Sequence, residues 1–340
     1  MVSNGTVQLS LAEVFQLSVD TLTCHGLALA HAESIARVIT AGQRDECHSH
    51  GLYRLISCVD AMRRGKVALD AVPEVEEVSP AITRVDAKFG FSQLAFDRGV
   101  GSLINKAQVI GIAALAVNNC YHFSALWPEV ERIAGAGLVG LAMTPSHSWV
   151  APAGGTKPVY GTNPIAFAWP RPGRHPYVFD FATSATARGE IELHRRAGKK
   201  IPPGWALDAQ GNPTEDAEAA LAGTMLTFGG HKGSALSAMI ELMGGALIGD
   251  MLSADSYRFD DGAKVTPCHG ELLLAFSPQL LGGVGAAAGA DRAEAMFGSI
   301  GAQGARLPSQ RRFEARERSE AHGVVVPAAL YADILALSAR

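Results

Sequence analysis

The segment HSHGLYR, residues 48–54, carries the side chains of this sequence that are best suited to chemistry. His50 can give a proton to a carbonyl oxygen or an imine nitrogen, because imidazoles titrate near neutral pH. Arg54 lies four residues later, on the same face of a helix, and its planar guanidinium can hold a carboxylate through two hydrogen bonds. Ser49 stands at the expected N-cap of that helix. The segment predicts a proton donor beside a carboxylate clamp; the alternative interpretation is a capping serine, a core histidine and a surface arginine.

Two further polar segments lie next to expected helices. NNCYHFSALW, residues 118–127, follows an apolar run, and turns of this kind often carry ligand groups. FGGHKGS, residues 228–234, combines exposed glycine amides, a helix N-terminus and Lys232, which together suit a phosphate. It lacks the spacing of a Walker loop. The alternatives are an ordinary strand-to-helix turn for the first segment and a glycine turn with a solvated lysine for the second.

Two other patterns resemble ligand sites but are not interpreted as such. GGVGAAAGA, residues 282–290, has the spacing GxGxxxG and no βαβ unit after it, so a Rossmann site is not expected. A zinc site could be drawn from Cys47, His48, His50, Cys120 and His122. His48 and His50 diverge at a helix start, so we expect no metal.

The bulk composition is that of a compact globular protein. The chain has 340 residues, 48% hydrophobic and 18% charged, with a formal net charge of −4, which disfavours disorder, nucleic-acid binding and anionic membranes. No signal peptide or membrane span is visible; the best apolar stretch, 234–248, is interrupted by Glu241. Five scattered cysteines predict free thiols in a reducing compartment, so we expect a cytoplasmic protein.

The elements that must position these segments follow from periodicity. Residues 8–65 show helical spacing, and the third helix is expected over 49–64, ending at Gly65. Residues 78–185 alternate short apolar runs with turn residues, which predicts strands interrupted by one helix over 125–134.

The rest of the chain is expected to be more irregular at first and then helical. Residues 195–223 form a surface excursion rich in Pro and Gly, followed by a helix over 232–250 and a strand over 271–276. The segment from 291 is helical and loop-like, and residues 324–340 are expected to form a final helix that packs on the opening helices. The expected domains are 1–77 (helical), 78–290 (αβ) and 291–340, which returns to the first.

Taken in order, the motifs resemble those of one known family. They are RDECHSHGLYR, VNNCYHFSAL, VAPAGGTKPVYGTNPIAF, FDFATSATARGEIELHRRAGKKIPPGWALDAQGNPTEDAEAALAG, FGGHKGS and GARLPSQRR. This series resembles the malate/L-lactate dehydrogenase-like family of NAD(P)H-dependent oxidoreductases. Within the family it is most similar to the Δ1-piperideine-2-carboxylate/Δ1-pyrroline-2-carboxylate reductase branch.

The resemblance implies an α/β (α+β) fold without a Rossmann domain. A largely antiparallel mixed sheet would bind NAD(P)H, with NADPH as the expected cofactor and NADH a weaker one. A helical domain formed from both chain ends would complete each subunit of a homodimer. The implied partner is a small substrate with a carboxylate.

The resemblance also implies roles for individual residues. Ser49 and His50 match the catalytic pair, with His50 as proton donor, and Glu190 matches a carboxylate that completes the relay. Arg54 and Thr162 match substrate contacts. The expected cofactor-binding residues are His122, Phe123, Ser124, Ala125, Leu126, Asp180, Phe181, Ala182, His231, Lys232, Gly304, Ala305, Arg306, Leu307, Pro308, Ser309 and Gln310.

The identity of residue 190 decides the expected substrate. Glu190 stands where many hydroxyacid dehydrogenases of the family have lysine, and a carboxylate favours a cationic imine over a neutral ketone. The HFSAL segment also departs from the hydroxyacid members. The expected reaction is reduction of Δ1-piperideine-2-carboxylate to L-pipecolate and of Δ1-pyrroline-2-carboxylate to L-proline. The alternatives are a 2-hydroxyacid dehydrogenase acting on malate, lactate or ureidoglycolate, and a catalytically silent ligand-binding protein.

Overall fold

The computed structural model of the protein describes residues 2–3 and 5–338, and within them thirteen strands form three sheets. The strands are β1 (Val2–Ser3), β2 (Thr6–Leu9), β3 (Glu74–Ser79), β4 (Ile82–Asp86), β5 (Ile112–Tyr121), β6 (Val139–Met143), β7 (Pro164–Trp169), β8 (Tyr177–Ala182), β9 (Ala206–Leu207), β10 (Pro213–Thr214), β11 (Thr224–Met225), β12 (Cys268–Phe276) and β13 (Val324–Pro327).

Helices surround the sheets. They are α1 (Leu11–Thr23), α2 (Leu29–Arg44), α3 (Arg54–Arg63), α4 (Ser92–Ile110), α5 (Trp127–Gly135), α6 (Arg188–Arg196), α7 (Ala217–Ala222), α8 (His231–Gly244), α9 (Ser253–Phe259), α10 (Pro278–Gly282), α11 (Ala286–Gly301), α12 (Gln310–His322) and α13 (Ala328–Ser338). No single helix among the described residues is long and apolar enough to cross a membrane; the stretches His231–Ile248 and Ser253–Phe259 pass that test only as a pair bent by 66°.

The central sheet has seven strands in the order β3-β4-β5-β12-β6-β7-β8. Only β4 and β5 run parallel, and every other neighbouring pair is antiparallel. A parallel pair needs a crossover connection, which α4 supplies between β4 and β5. The expected fold class, a largely antiparallel mixed sheet without a Rossmann arrangement, is confirmed.

The two chain ends build one unit together. Strand β2 lies between β1 and β13, and α13 packs against α1 and α3. Its core includes Leu22, Ile35, Leu55 and Ile334, all fully buried. The prediction of helix from residue 8 and over 324–340 was wrong at both strands. Strands β2 and β13 each bury alternate residues, which is the period of a strand, and they pair with each other although they lie at opposite ends of the chain.

Helix α4 is the longest helix among the described residues and was not expected, because strands had been predicted across this region. Gly99 and Gly101 obscure its helical pattern in the sequence. Gly99 has a structural reason: a Cβ there would come within 2.6 Å of Leu115 and 2.8 Å of Val85. The helix therefore lies directly on the sheet. The helix predicted over 125–134 is present as α5.

Candidate active site

His50, Ser49 and Arg54 lie together at the surface of the helical unit. His48–His50 form a 3-10 turn and α3 begins only at Arg54, so Ser49 is not the N-cap that was expected. The Ser49 hydroxyl is instead 3.0 Å from His50 Nδ1, and Arg54 Nη2 donates to His50 Nε2 at 3.4 Å. Because Arg54 can only donate, His50 is neutral, with its proton on Nδ1 directed at Ser49.

The electrostatics of this pair favour an anionic ligand. Burial, followed by the charge of Arg54, lowers the pKa of His50 to about 3. Arg54 has no acidic partner among the described ion pairs, and its Nε is buried without a hydrogen bond. A buried guanidinium in this state is stabilised by a bound carboxylate, which would also reduce the positive charge acting on His50.

Trp127 packs against the other side of the imidazole. The two rings meet edge to face with centroids 6.1 Å apart. The indole Nε1 donates to Asp45 at 3.2 Å, and Arg312 lies 4.7 Å above the indole ring. Asp45 is fully buried and accepts two hydrogen bonds from Arg316 of α12. The C-terminal segment thereby fixes one wall of the site.

His122, at the end of β5, completes this group. It is buried, and the charges of His50 and Arg54 are among the causes that, after burial, lower its pKa. Its Nε2 lies 3.8 Å from Glu271 Oε1 of β12. The structure therefore brings His50, Arg54 and His122 into one neighbourhood.

The segments expected to bind the cofactor converge on β8, the edge strand of the central sheet. Asp180 accepts from the amides of Leu126 and Trp127 at 2.8 and 2.9 Å, and burial raises its pKa to about 6. Ser309 donates to the carbonyl of Val178 at 2.8 Å. The 228–234 turn joins the end of β8 through the amide of Phe228.

Within these segments the side chains differ in what they can offer. Asp180 is occupied as the cap of α5, and Phe123, Ser124, Ala125 and Leu126 are buried, so they offer mainly backbone to a ligand. Phe181 is exposed and Ala182 half-buried. Most of the loop is exposed, namely Gly304, Ala305, Arg306, Pro308 and Gln310, while Leu307 and Ser309 are half-buried.

The start of α8 fits a phosphate of NAD(P)H. Gly229 and Gly230 have φ of +58° and +60° in open space, and the helix has no side-chain cap. Lys232 N donates to the Gly229 carbonyl, so the amides of His231 and Gly233 are the ones available to an anion. His231 and Lys232 are both exposed there. Gly233 cannot be replaced freely, because a Cβ would approach the Phe228 carbonyl oxygen to 2.0 Å.

Thr162 lies in the loop before β7, half-buried, and its carbonyl accepts from Thr183 at the end of β8. Its neighbours are fixed by the buried carboxylate of Glu241, which accepts from Gly161 and Asn163. Glu190 lies on α6. Its side chain is 48% exposed and its Oε1 lies 3.7 Å from His194 Nδ1, and no described hydrogen bond or ion pair joins it to His50.

Sequence reasoning missed Asp45, Trp127, Glu129 and Glu271 as parts of this region. Glu271 had a usable signal, since it is the one charged residue within the strand CHGELLLAF. Trp127 is the last residue of the segment 118–127, which was predicted to carry ligand groups. The contributions of Asp45 and Glu129 come from long-range contacts that no local motif reveals.

The known proteins that are similar to this chain point to one family. The sequence model of the malate/L-lactate dehydrogenase family matches residues 9–335. Delta(1)-pyrroline-2-carboxylate reductase 2 of Burkholderia multivorans is 63% identical over 331 residues, covering 97% of each chain. Delta(1)-pyrroline-2-carboxylate/Delta(1)-piperideine-2-carboxylate reductase of Pseudomonas aeruginosa is 58% identical over 331 residues, covering 97% of this chain and 99% of its own.

A solved structure agrees as well. The crystal structure of delta1-piperideine-2-carboxylate reductase from Pseudomonas syringae pv. tomato superposes with a TM-score of 0.93 at 40% identity, covering 98% of this chain and all of that one. The matches extend over nearly the whole length of each protein. This chain belongs to the malate/L-lactate dehydrogenase family and is an oxidoreductase.

Proposed function

We propose that this protein is an NADPH-dependent reductase of cyclic 2-imino carboxylates, converting Δ1-piperideine-2-carboxylate to L-pipecolate and Δ1-pyrroline-2-carboxylate to L-proline. The observation that carries the proposal is Arg54, a guanidinium with a buried Nε and no acidic partner among the described residues, 3.4 Å from a neutral imidazole. The names of relatives that are 58% and 63% identical support the substrate class.

The mechanism assigns one task to each side chain. Arg54 holds the substrate carboxylate, and Thr162 is the second substrate contact. NADPH, when bound, supplies a hydride to the C=N carbon. His50, oriented by Ser49, gives a proton to the nitrogen as the electrons of the C=N bond move onto it. Neutralisation of Arg54 by the substrate carboxylate favours a protonated His50 in the complex, which the free enzyme disfavours.

Replacing the proton donor tests this mechanism. His50→Ala should lower kcat for the cyclic imine by about 10²- to 10⁴-fold, while NADPH binding, followed by its fluorescence, is retained. Arg54→Lys should mainly raise KM, because an ammonium cannot reproduce the guanidinium fork. Full turnover by the His50→Ala variant would exclude His50 as the proton donor.

A substrate panel tests the reaction class. Purified enzyme should oxidise NADPH faster with Δ1-piperideine-2-carboxylate than with pyruvate, and the same assays with NADH give the cofactor preference. Glu190 is proposed as the carboxylate that favours the cationic imine, so Glu190→Lys should shift the preference toward the keto acid while Glu190→Gln should do so less. Faster turnover of pyruvate by the unmodified enzyme would favour a 2-hydroxyacid dehydrogenase instead.

The cofactor phosphates are proposed to lie at the start of α8. Lys232→Gln should raise KM for NADPH by about 10-fold, the value of one hydrogen bond to a charged group. Lys200→Gln is the matched control, since Lys200 is 82% exposed on the 195–223 excursion. Equal effects of the two substitutions on KM would show that the phosphates bind elsewhere.

We further propose a cytoplasmic homodimer. Five free cysteines suit a reducing compartment. Apolar side chains on and just after α8 are exposed in the single chain, with Leu242 at 61% and Leu247 at 66%. Light scattering after size-exclusion chromatography should give twice the mass of one chain, and a monomeric mass would contradict the proposal.

A further inference from the structure

Behind His122 lies a buried group of carboxyls that the mechanism above does not use. His122, Glu129 and Glu271 belong to the end of β5, to α5 and to β12, and their donor atoms lie within 4.8 Å of one another. All three residues are buried, with Glu271 fully so. His122 Nε2, Glu129 Oε2 and both oxygens of Glu271 are buried without a hydrogen-bond partner among the described residues.

The two carboxyls must share a proton. Within the described residues neither carboxyl pairs with lysine or arginine. The donor atoms of the group lie within 4.8 Å of one another in a buried site, where two ionised carboxylates would repel each other strongly. Burial, and then the neighbouring charge of Glu271, raises the pKa of Glu129 well above its usual value. Burial raises the pKa of Glu271 as well, but its contact with Glu129 lowers that pKa, so Glu129 is the protonated partner and Glu271 the ionised one.

A metal ion fits this group less well than a proton does. A metal site sealed from solvent takes four protein ligands, since no water can complete the coordination, and only three donor atoms of the described residues converge here. The nearest further candidates among the described residues are engaged: Cys120 Sγ lies 3.1 Å from the His269 carbonyl, and His269 Nδ1 lies 2.9 Å from the Thr144 hydroxyl.

The remaining negative charge acts on the tautomer of His122. Nε2 faces Glu271 at 3.8 Å and is sealed from solvent, so a proton on Nε2 is favoured. Nδ1 has no hydrogen bond within the described residues and is less completely buried than Nε2. It therefore carries the lone pair, on a ring that feels the charges of His50 and Arg54.

We propose that the Glu129–Glu271 pair fixes His122 as a hydrogen-bond acceptor facing the active site, and that His122 thereby selects a protonated cyclic imine over a ketone. This inference rests on the proposed function. His122 would contact the substrate, whereas Glu129 and Glu271 are positioning residues.

The chemistry explains the selectivity. A protonated imine has an N–H bond in the plane of its C=N group, which can donate to His122 Nδ1. A ketone oxygen has lone pairs in the corresponding plane, which the Nδ1 lone pair repels. When hydride from NADPH reaches the carbon, the π electrons of the C=N bond move onto nitrogen, and that new lone pair takes the proton of His50. The products are the ammonium form of the cyclic amino acid, neutral His50 and NADP⁺.

The experiment combines the kinetics of three variants with one NMR spectrum of the unmodified enzyme. We measure kcat/KM for Δ1-piperideine-2-carboxylate and for pyruvate in Glu271→Leu, Glu271→Gln and Glu129→Gln. Glu271→Leu should lower kcat/KM for the imine by about 10-fold or more, the value of a hydrogen bond to a charged group, without the same loss for pyruvate. Glu129→Gln is the conservative variant and should keep the imine preference, because its amide donates to Glu271 as the protonated carboxyl does. Glu271→Gln should fall between them.

Nitrogen-15 NMR of the unmodified enzyme measures the tautomer directly. His122 should carry its proton on Nε2, and a proton on Nδ1 would overturn the proposal whether or not the variants fold. Equal losses for both substrates in Glu271→Leu, or one tightly bound divalent metal per chain in the purified protein, would also overturn it. If the enzyme does not reduce the cyclic imine at all, the proposed function fails, while the spectrum still decides the tautomer.

Discussion

The charge of Arg54 should control the proton affinity of His50, and Arg54→Gln tests this directly. At 3.4 Å, two unit charges interact by about 5 kcal/mol if the effective dielectric constant is about 20, equivalent to about 3.5 pKa units. This number of pKa units is an upper bound on the effect of Arg54, because burial is the larger cause of the low pKa of His50. We expect Arg54→Gln to raise that pKa by about 1 to 2 units, to between about 4 and 5.

The assay is an NMR titration of histidines labelled with nitrogen-15. In the unmodified enzyme His50 should remain neutral down to about pH 4, because its pKa is about 3. Arg54→Lys is the matched control: it keeps the positive charge and should leave the pKa of His50 low. An unreactive aromatic carboxylate should raise the pKa of His50 in the unmodified enzyme but not in Arg54→Gln.

The direction of the pKa shift of His50 has a consequence for the stability of the fold. The pKa of His50 in the folded state is below 6.5, so between about pH 6.5 and pH 3 the unfolded chain binds the proton that the folded chain refuses. This contribution to stability is lost as the pH falls through that window. Arg54→Gln should narrow the pH window, because it raises the pKa of His50 in the folded state. If Arg54→Lys raised the pKa of His50 as much as Arg54→Gln, or if neither changed it, the electrostatic reasoning would be wrong.

Two further substitutions test the supports of the site. Asp45→Asn should lower the free energy of unfolding by about 1 to 3 kcal/mol, because it weakens a buried hydrogen-bonded charge pair while Glu131 still pairs with Arg316, whereas the exposed control Asp60→Asn should cost less than about 1 kcal/mol in urea denaturation. Gly42→Ala should reduce turnover, since its Cβ would meet the backbone oxygen of His50 at 2.4 Å. Gly101→Ala has open space on α4 and should stabilise by up to about 1 kcal/mol without loss of activity. Unchanged turnover in Gly42→Ala would show that the His50 turn tolerates displacement.

Local spacing predicted the parts of the site that lie within one turn of chain. His50 and Arg54 are four residues apart, and they lie side by side although a 3-10 turn, rather than the expected helix, places them there. The strands β5 to β8 and the turn before α8 were likewise predicted, because short apolar runs bounded by Gly, Pro and Asn are local properties of the chain. The order of motifs along the sequence identified the family, and the comparisons confirm it.

The sequence alone therefore determined the strands β5 to β8, the family and the acid–cation pair just before α3. Only the tertiary structure decided that β2 pairs with β13, that Asp45 holds Trp127 from 82 residues away, and that Glu271 lies behind His122. The reason is physical: backbone geometry fixes neighbours within a turn, whereas contacts between distant segments depend on which sheet order and helix packing bury the core.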